Sequence, residues 1–284
     1  MEKTLMKSQN NWLQILIQCK NNIKKQIAPF LKTFNQPQPY LGIGAGGDAI
    51  KQVDLAAENA IVDTLKRHKL SFTLVSEESG IREYGEKPSK CYVTADPIDG
   101  TTNLLRGIPF YATSIAISSE STINTVNAAL VADLYHDVTY KAQKGKGAFR
   151  NNKRITPSKC DSLEEAVIGI DLNTYKVKEI APKLNRLIQK TKHIRHLGAN
   201  ALEICYVADG TTDAFLDIRG KLRTTDMAAA WLILKEAGGT ITTPEGKQLN
   251  VKLDPKQNVA FIASANQRIH KIILGFIKSE KELT

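Results

Sequence analysis

Long apolar runs are missing from this chain. No stretch approaches the roughly 20 residues that cross a bilayer, and no short hydrophobic signal core stands near the N-terminus. The expectation is therefore a soluble, cytoplasmic protein with no membrane partner. Cysteine is scarce as well. The four present, Cys19, Cys91, Cys160 and Cys205, lie far apart and form no Cys-x-x-Cys pair. They read as reduced core thiols, which excludes a disulfide framework and a cysteine zinc site. No His/Cys cluster and no Ser/His/Asp or Cys/His nucleophile arrangement stands out. His193 and His196 flank Arg195 and read as surface or packing histidines. Internal repeats and low-complexity tracts are absent. Lys144-Gly145-Lys146-Gly147-Ala148-Phe149 lacks Walker spacing, so it reads as a turn and packing motif, not a phosphate loop.

What remains is ordinary in bulk. With 284 residues, 42% apolar and 24% charged, the chain can bury a full core as one large domain or two small ones. The formal net charge of +10 suits either nucleic acid or a phosphorylated small molecule drawn in by the protein's field. Its lysines gather toward the termini (Lys20, Lys24, Lys25, Lys271, Lys278, Lys281), where solvated helix faces explain them. No stripe of Lys/Arg interleaved with aromatics offers a stacking platform, so nucleic acid is not the expected partner.

Periodicity gives a coarse map. Residues 8 to 34 carry apolar positions near helical spacing, stopped by Pro37 and Pro39. A second helical run follows from Asp48, and Phe72-Thr73-Leu74-Val75 reads as a strand that delivers Glu77 into a polar loop lasting to Lys90. Three β-rich runs fill 111 to 142, with His136-Asp137 as a turn between the last two. Beyond Pro157 the pattern alternates: strand Val167 to Asp171, helix Lys178 to Lys190, helix Ala201 to Val207, strand Ala214 to Asp217. A buried Ala-rich helix, Thr225 to Ala237, ends at Gly238-Gly239, and a strand from Val259 and a helix from Ile269 close the chain. This pattern predicts an α+β half over 1–155 and an α/β half over 156–284.

The most informative stretch is Asp96-Pro97-Ile98-Asp99-Gly100-Thr101-Thr102-Asn103, directly after the apolar run Cys91 to Ala95. If the segment turns helically, Asp96 and Asp99 present their oxygens to one side. Gly100-Thr101-Thr102 offers N–H groups and hydroxyls where a helix begins, an anion pocket in principle. Paired carboxylates beside such donors suit a hard cation that bridges to phosphate. The same two aspartates also fit a turn that caps a helix, and taken alone they favour that simpler reading.

The whole string closely resembles the motif of the inositol monophosphatase family of Mg²⁺-dependent phosphatases. Further pieces resemble that family in the same order: Ser76-Glu77-Glu78-Ser79, Lys144 to Phe149, Thr225-Asp226-Met227-Ala228-Ala229-Ala230 and Glu236-Ala237-Gly238-Gly239. The similarity runs over about residues 40 to 275. One departure is visible: the family often has Trp just before the late Asp, whereas Thr225 stands here and Trp231 lies further on. Phe215-Leu216-Asp217-Ile218-Arg219, then Leu222-Arg223, instead resembles the archaeal branch, whose members hydrolyse both inositol monophosphate and fructose 1,6-bisphosphate.

The resemblance implies an αβαβα layered sandwich and a site between the two halves. It implies Glu77, Asp96, Asp99, Asp226 and the Ile98 carbonyl as ligands for two or three Mg²⁺ ions, a donor set of hard oxygens. It assigns Thr101 to orient the attacking water and pass a proton toward Asp54, with Glu77 also catalytic. Phosphate contacts fall on Gly100 and Thr101, with Asp99 also among the substrate-binding residues; contacts to the sugar or cyclitol fall on Arg195, Gly198, Ala199 and Asn200. Arg219 would meet a substrate hydroxyl or a second phosphate, or else pair with Asp217. A homodimer acting on a small phosphorylated sugar or cyclitol follows by the same route. Rival readings are a nucleotide 3′-phosphatase or NADP phosphatase of the same fold, and a non-catalytic basic protein that binds nucleic acid.

Overall fold

Helical periodicity in the first segment produces α1 (Trp12–Ile27), which buries Trp12, Ile15, Leu16, Cys19, Ile23 and Ile27 along one stripe. A computed structural model describes residues 12–32, 41–85, 91–173 and 177–278. Residues 8–11, 33–34, Pro37 and Pro39, part of the predicted first helix and its stop, lie outside these, as do residues 86–90 of the predicted loop. α1 packs on α2 (Gln52–Arg67), which begins later than Asp48 because residues 41–51 run as loop and turn.

An eight-stranded sheet forms next, in the order β2-β1-β3-β4-β5-β6-β7-β8. Its strands are β1 (Phe72–Ser76), β2 (Gly80–Tyr84), β3 (Tyr92–Asp99), β4 (Ala112–Ser118), β5 (Val126–Asp133), β6 (Val138–Gln143), β7 (Gly147–Arg150) and β8 (Lys153–Arg154). Strand β2 corrects the expected polar loop. It pairs antiparallel with β1 at the sheet edge, and Ile81, Arg82 and Glu83 are exposed. An edge strand whose three middle residues are all exposed needs no apolar alternation, so the periodicity carried no sign of it. The central strands do alternate: Ile115 and Ile117 of β4 face the core under α1 and α2, while Ala112 and Ala116 face the opposite one.

The second sheet has the order β10-β9-β11-β13-β12. It contains β9 (Val167–Ile170), β10 (His193–Arg195), β11 (Ala214–Arg223), β12 (Thr240–Thr242) and β13 (Asn258–Ser264). β11 runs past the predicted end at Asp217, because its pairing with β13 shifts register between Asp217 and Leu222 and then resumes. Two helices fill the space between the sheets, α5 (Asn200–Asp209) and α6 (Thr224–Ala237). Alanines 228, 229 and 230 are fully buried and let α6 lie close to the first sheet. Outside the second sheet, α4 (Val177–Lys190) and α7 (Gln267–Lys278) close a third core. The layers are thus helices, sheet, helices, sheet, helices, the expected αβαβα sandwich.

α6 ends where Gly238 takes φ 100°, a left-handed cap that glycine adopts without strain. Its last turn also explains the Lys144-to-Phe149 motif, since Glu236 accepts hydrogen bonds from the Gly145 and Gly147 amides at 2.8 Å each. The motif is a hairpin tied to a helix end, as expected.

Phe215 on β11 is fully buried in the core shared with the middle helices and meets Phe261 of neighbouring β13 edge-on, with centroids 5.6 Å apart. Phe215→Ala is expected to cost about 3–5 kcal/mol, read as a lower midpoint in urea unfolding.

Candidate active site

The ends of several elements meet at one point between the sheets. Asp96 and Asp99 come from the end of β3, where Pro97 intervenes and pairing with β4 shifts register between the two aspartates. Glu77 follows directly after β1, and Asp226 lies in the first turn of α6. Glu77, Asp96 and Asp226 each place a carboxylate oxygen so that these oxygens lie within 4.8 Å of one another. Such crowding disfavours ionisation. Burial first, and then the Asp226 charge, hold Glu77 well above its ordinary value. Burial, then Glu77 and Asp226, do the same to Asp96.

Asp99 stands beside this triple with a second task. Its two oxygens accept the Asn200 amide at 3.0 Å and the Ala201 amide at 2.7 Å, capping α5 from a different segment. Burial still lifts it to about 8, Asp226 adding to the rise and the amides opposing it.

Asp54 lies in the first turn of α2, buried, with Oδ1 at 3.0 Å from the Thr101 hydroxyl. That hydroxyl is also 2.9 Å from the Ile98 carbonyl, so its one proton can go to either acceptor. Burial raises Asp54 to about 7, with the Thr101 hydrogen bond pulling the other way.

Between β3 and α3 (Thr101–Arg106), Gly100 takes φ 86°. A side chain there would come within 3.1 Å of Ala199 Cβ and of the Gly198 carbonyl, so glycine is what lets the two segments approach. Asn103 fastens them, its Nδ2 donating to the Phe110 and Leu197 carbonyls at 2.8 Å each.

The cavity bounded by these groups measures about 710 Å³ and is lined by Asp54, Glu77, Asp96, Ile98, Asp99, Gly100, Thr101, Gly198, Asn200 and Asp226, among others. A neighbouring cavity of about 540 Å³ shares Asp48, Asn173, Asn200, Arg223 and Asp226 with it and reaches Arg219. Of the predicted sugar contacts, Gly198 and Asn200 line the larger cavity. Ala199 is fully buried. Arg195 is exposed on β10 and turns to its neighbour's carbonyl at 2.8 Å, away from the cavity lining. Arg219 is buried between two acids: Nε lies 2.9 Å from Asp217 Oδ1, and Nη2 lies 2.6 Å from Asp217 Oδ2 and 2.5 Å from Asp171 Oδ2. The alternative of pairing with Asp217 is the one observed.

Four residues at the site carried no functional assignment from sequence. Glu58, one turn after Asp54 on α2, accepts the Ser76 hydroxyl and, at 3.3 Å, the Ser79 amide. It braces the segment carrying Glu77; its spacing from Asp54 on the same helix face was the available signal. Glu203, one turn into α5, accepts the Leu197 and Gly198 amides at 3.2 and 3.0 Å, and burial raises it to about 7. His196, expected to be a surface or packing residue, lines the larger cavity and contacts Asn173 Oδ1 at 3.3 Å. Arg223 projects into the acids, with Nη2 2.8 Å from Glu77 Oε1 and Nε 3.4 Å from Asp226 Oδ2.

The donor set fits a hard divalent cation. Every candidate ligand is an oxygen, and Asp96 Oδ1 is buried without a hydrogen-bond partner. Thr225, where the family often has Trp, donates its hydroxyl to Asp226 Oδ1 at 2.9 Å and so orients that acid.

Comparison with known proteins identifies the family and the fold. The sequence model of the inositol monophosphatase family matches residues 18–281. The chain belongs to the inositol monophosphatase family. That makes it a phosphatase, a hydrolase of phosphoric monoesters. It is similar to the fructose-1,6-bisphosphatase/inositol-1-monophosphatase of Methanothermobacter thermautotrophicus, with 32% identity over 93% of this chain and 95% of that one. The bifunctional NADP phosphatase/NAD kinase of Methanococcus maripaludis is also 32% identical over 93% of this chain, which spans only 48% of that longer protein. Among solved structures, an inositol monophosphatase–fructose 1,6-bisphosphatase superimposes with a TM-score of 0.82 at 31% identity, covering 93% of this chain and 99% of its own. Among the described residues no helix is long and apolar enough to cross a membrane.

Burial sets the pH behaviour of this phosphatase's Asp54. A carboxyl raised to about 7 in the fold stabilises the protein below its ordinary value near 3.8, and that stability is lost as pH rises through 7. In EDTA, Asp54→Asn is therefore expected to gain unfolding free energy relative to the wild type between pH 4 and pH 8, measured by urea unfolding at each pH. A difference that stays flat or shrinks over that range contradicts the assignment.

Proposed function

We propose that this phosphatase hydrolyses inositol 1-phosphate, fructose 1,6-bisphosphate or both with Mg²⁺, by direct attack of water. The observation that carries the reading is the unpartnered Asp96 Oδ1 within the Glu77–Asp96–Asp226 triple, set beside the Asp54–Thr101 hydrogen bond. Glu77, Asp96, Asp226, Asp99 and the Ile98 carbonyl would hold the ions. Bound Mg²⁺ supplies positive charge for the phosphoryl oxygens and makes water a better nucleophile near neutral pH.

The chain's own groups do the rest. Thr101 holds the water through its hydroxyl; as the water oxygen bonds to phosphorus, the water's proton passes to Thr101 Oγ1 and Thr101's own proton to Asp54, 3.0 Å away. The ester P–O bond breaks in the same step, and the leaving alkoxide takes a proton from solvent. Asp54 is buried beside the Thr101 hydroxyl, and burial raises its carboxyl in the metal-free fold, which makes it the better proton acceptor there. The Gly100 and Thr101 amides hold phosphate oxygens, and no covalent intermediate is needed. Gly198 and Asn200 touch the sugar or cyclitol, with Ala199 shaping the turn between them and Arg195 at the outer edge. Arg219, already committed to Asp217 and Asp171, acts through Asp171 on the wall that holds Asn173 and His196. The two halves, 1–155 and 156–284, supply opposite walls of the cleft. A cytoplasmic homodimer completes the reading.

The neighbouring cavity and the NADP phosphatase relative favour a second reading, in which a nucleotide phosphate is the substrate and its larger body extends toward Pro255 and Asn258. Phosphate release from inositol 1-phosphate, fructose 1,6-bisphosphate and NADP, with Mg²⁺ and with EDTA, separates the two. Mg²⁺-dependent release from either of the first two is the expected result; release from NADP alone would replace the substrate assignment. Asp96→Asn should lower turnover at least about 1000-fold, as loss of a metal ligand would, with an unchanged circular dichroism spectrum. Wild-type turnover in that variant contradicts the metal role.

A further inference from the structure

Arg223 stands just before α6, where its side chain is 15% exposed, and it spans the space between the acidic triple and the outer rim. Its inner contacts are Glu77 Oε1 at 2.8 Å and Asp226 Oδ2 at 3.4 Å. Its outer contact is Asp48 Oδ2 at 2.7 Å from Nη1, and Asp48 is itself 74% exposed. The guanidinium thus reaches from buried carboxylates to solvent through one planar fork. Gly46 makes room for it. A Cβ there would lie 2.5 Å from Nη1, and the Gly46 carbonyl takes the same nitrogen at 3.3 Å. The loop is also tied to the acids directly, since the Gly46 amide donates to the Glu77 carbonyl at 2.9 Å.

We propose that Arg223 is a built-in counter-ion that competes with the divalent metal for Glu77 and Asp226, and that it gives up those two acids when the metal binds while keeping its hold on Asp48. The inference rests on the metal reading above and adds a residue that sets how much metal the site requires. Carboxylates buried around one point repel one another, and a guanidinium on two of them removes part of that repulsion while no ion is bound. A bound cation places positive charge against the guanidinium and takes lone pairs that it now faces, so both cannot hold the same oxygens at full strength. Asp48 gives the displaced group a partner outside the cluster. Arg223 therefore weakens metal affinity and stabilises the metal-free fold, and Asp48 offsets the first effect.

Isothermal titration calorimetry of Mg²⁺ into metal-stripped full-length protein tests this, with thermal melts in EDTA alongside. Arg223→Gln should bind Mg²⁺ about tenfold more tightly than wild type and melt at a lower temperature in EDTA. Asp48→Asn should bind Mg²⁺ more weakly, because the guanidinium loses its outer partner and stays on the acids. These opposite signs are not expected of a merely structural arginine. If Arg223→Gln does not fold, Arg223→Lys and Asp48→Asn carry the test: the lysine, lacking the fork, should bind Mg²⁺ more tightly than wild type by a smaller factor. Equal or weaker Mg²⁺ binding in the Arg223 variants, or equal or tighter binding in Asp48→Asn, would overturn the counter-ion role while leaving the metal site standing. Failure of the wild type to take up any Mg²⁺ would overturn the metal reading and this inference with it.

Discussion

Carboxylate oxygens of Glu77, Asp96 and Asp226 lie within 4.8 Å of one another at the wall of the cleft, and like charges so placed repel strongly. Much of the surrounding structure bears on that repulsion. The Asp99 carboxylate is braced by two amides at the start of α5, and Asp226 by the Thr225 hydroxyl. Glu58 clamps the segment that carries Glu77, and Arg223 sets positive charge against two of the acids. The raised values of these carboxyls, burial first and neighbouring charge second, mark a corner that favours either protons or a cation.

The layered fold is what makes this arrangement possible. Each acid sits at the end of an element: Glu77 after β1, Asp96 and Asp99 at the end of β3, Asp226 at the start of α6, Asp54 at the start of α2. Element ends are where backbone groups are free to accept or donate beyond their own ladder. α6 can approach the first sheet closely because it presents Ala228, Ala229 and Ala230, and that approach carries Asp226 to Asp96. Gly100 performs the same service for the loop at Gly198 and Ala199.

Much of this was legible in the sequence because the informative residues are contiguous. Asp96 to Asn103 holds two acids, a left-handed glycine, the Thr101 hydroxyl and the Asn103 clamp in one string. The buried strands and the Ala-rich helix declared themselves through period and composition. Other features had no local signal. Edge strand β2 is solvated and has no pattern to show; β10 and β12 are three residues each and are defined by their partners. That Arg219 is enclosed by Asp171 as well as Asp217 depends on β9 and β11 lying side by side, which no spacing reveals. Arg195 matched a motif, yet its place on a short outer strand turns it from the cavity. Arg223 matters through contacts with the distant Glu77 and Asp48, and Glu203 through the neighbouring Leu197–Gly198 turn, so their roles emerged only in three dimensions; Glu58 had only its helix-face spacing from Asp54 to show.

These acids are proposed to hold a divalent cation. Diffraction from crystals soaked in Mn²⁺, with anomalous scattering used to locate the ion, tests this most directly. An anomalous peak bounded by Glu77, Asp96 and Asp226, adjoining Asp99 and the Ile98 carbonyl, is the expected result. A map with no peak there, or with manganese bound only at surface carboxylates, would contradict it.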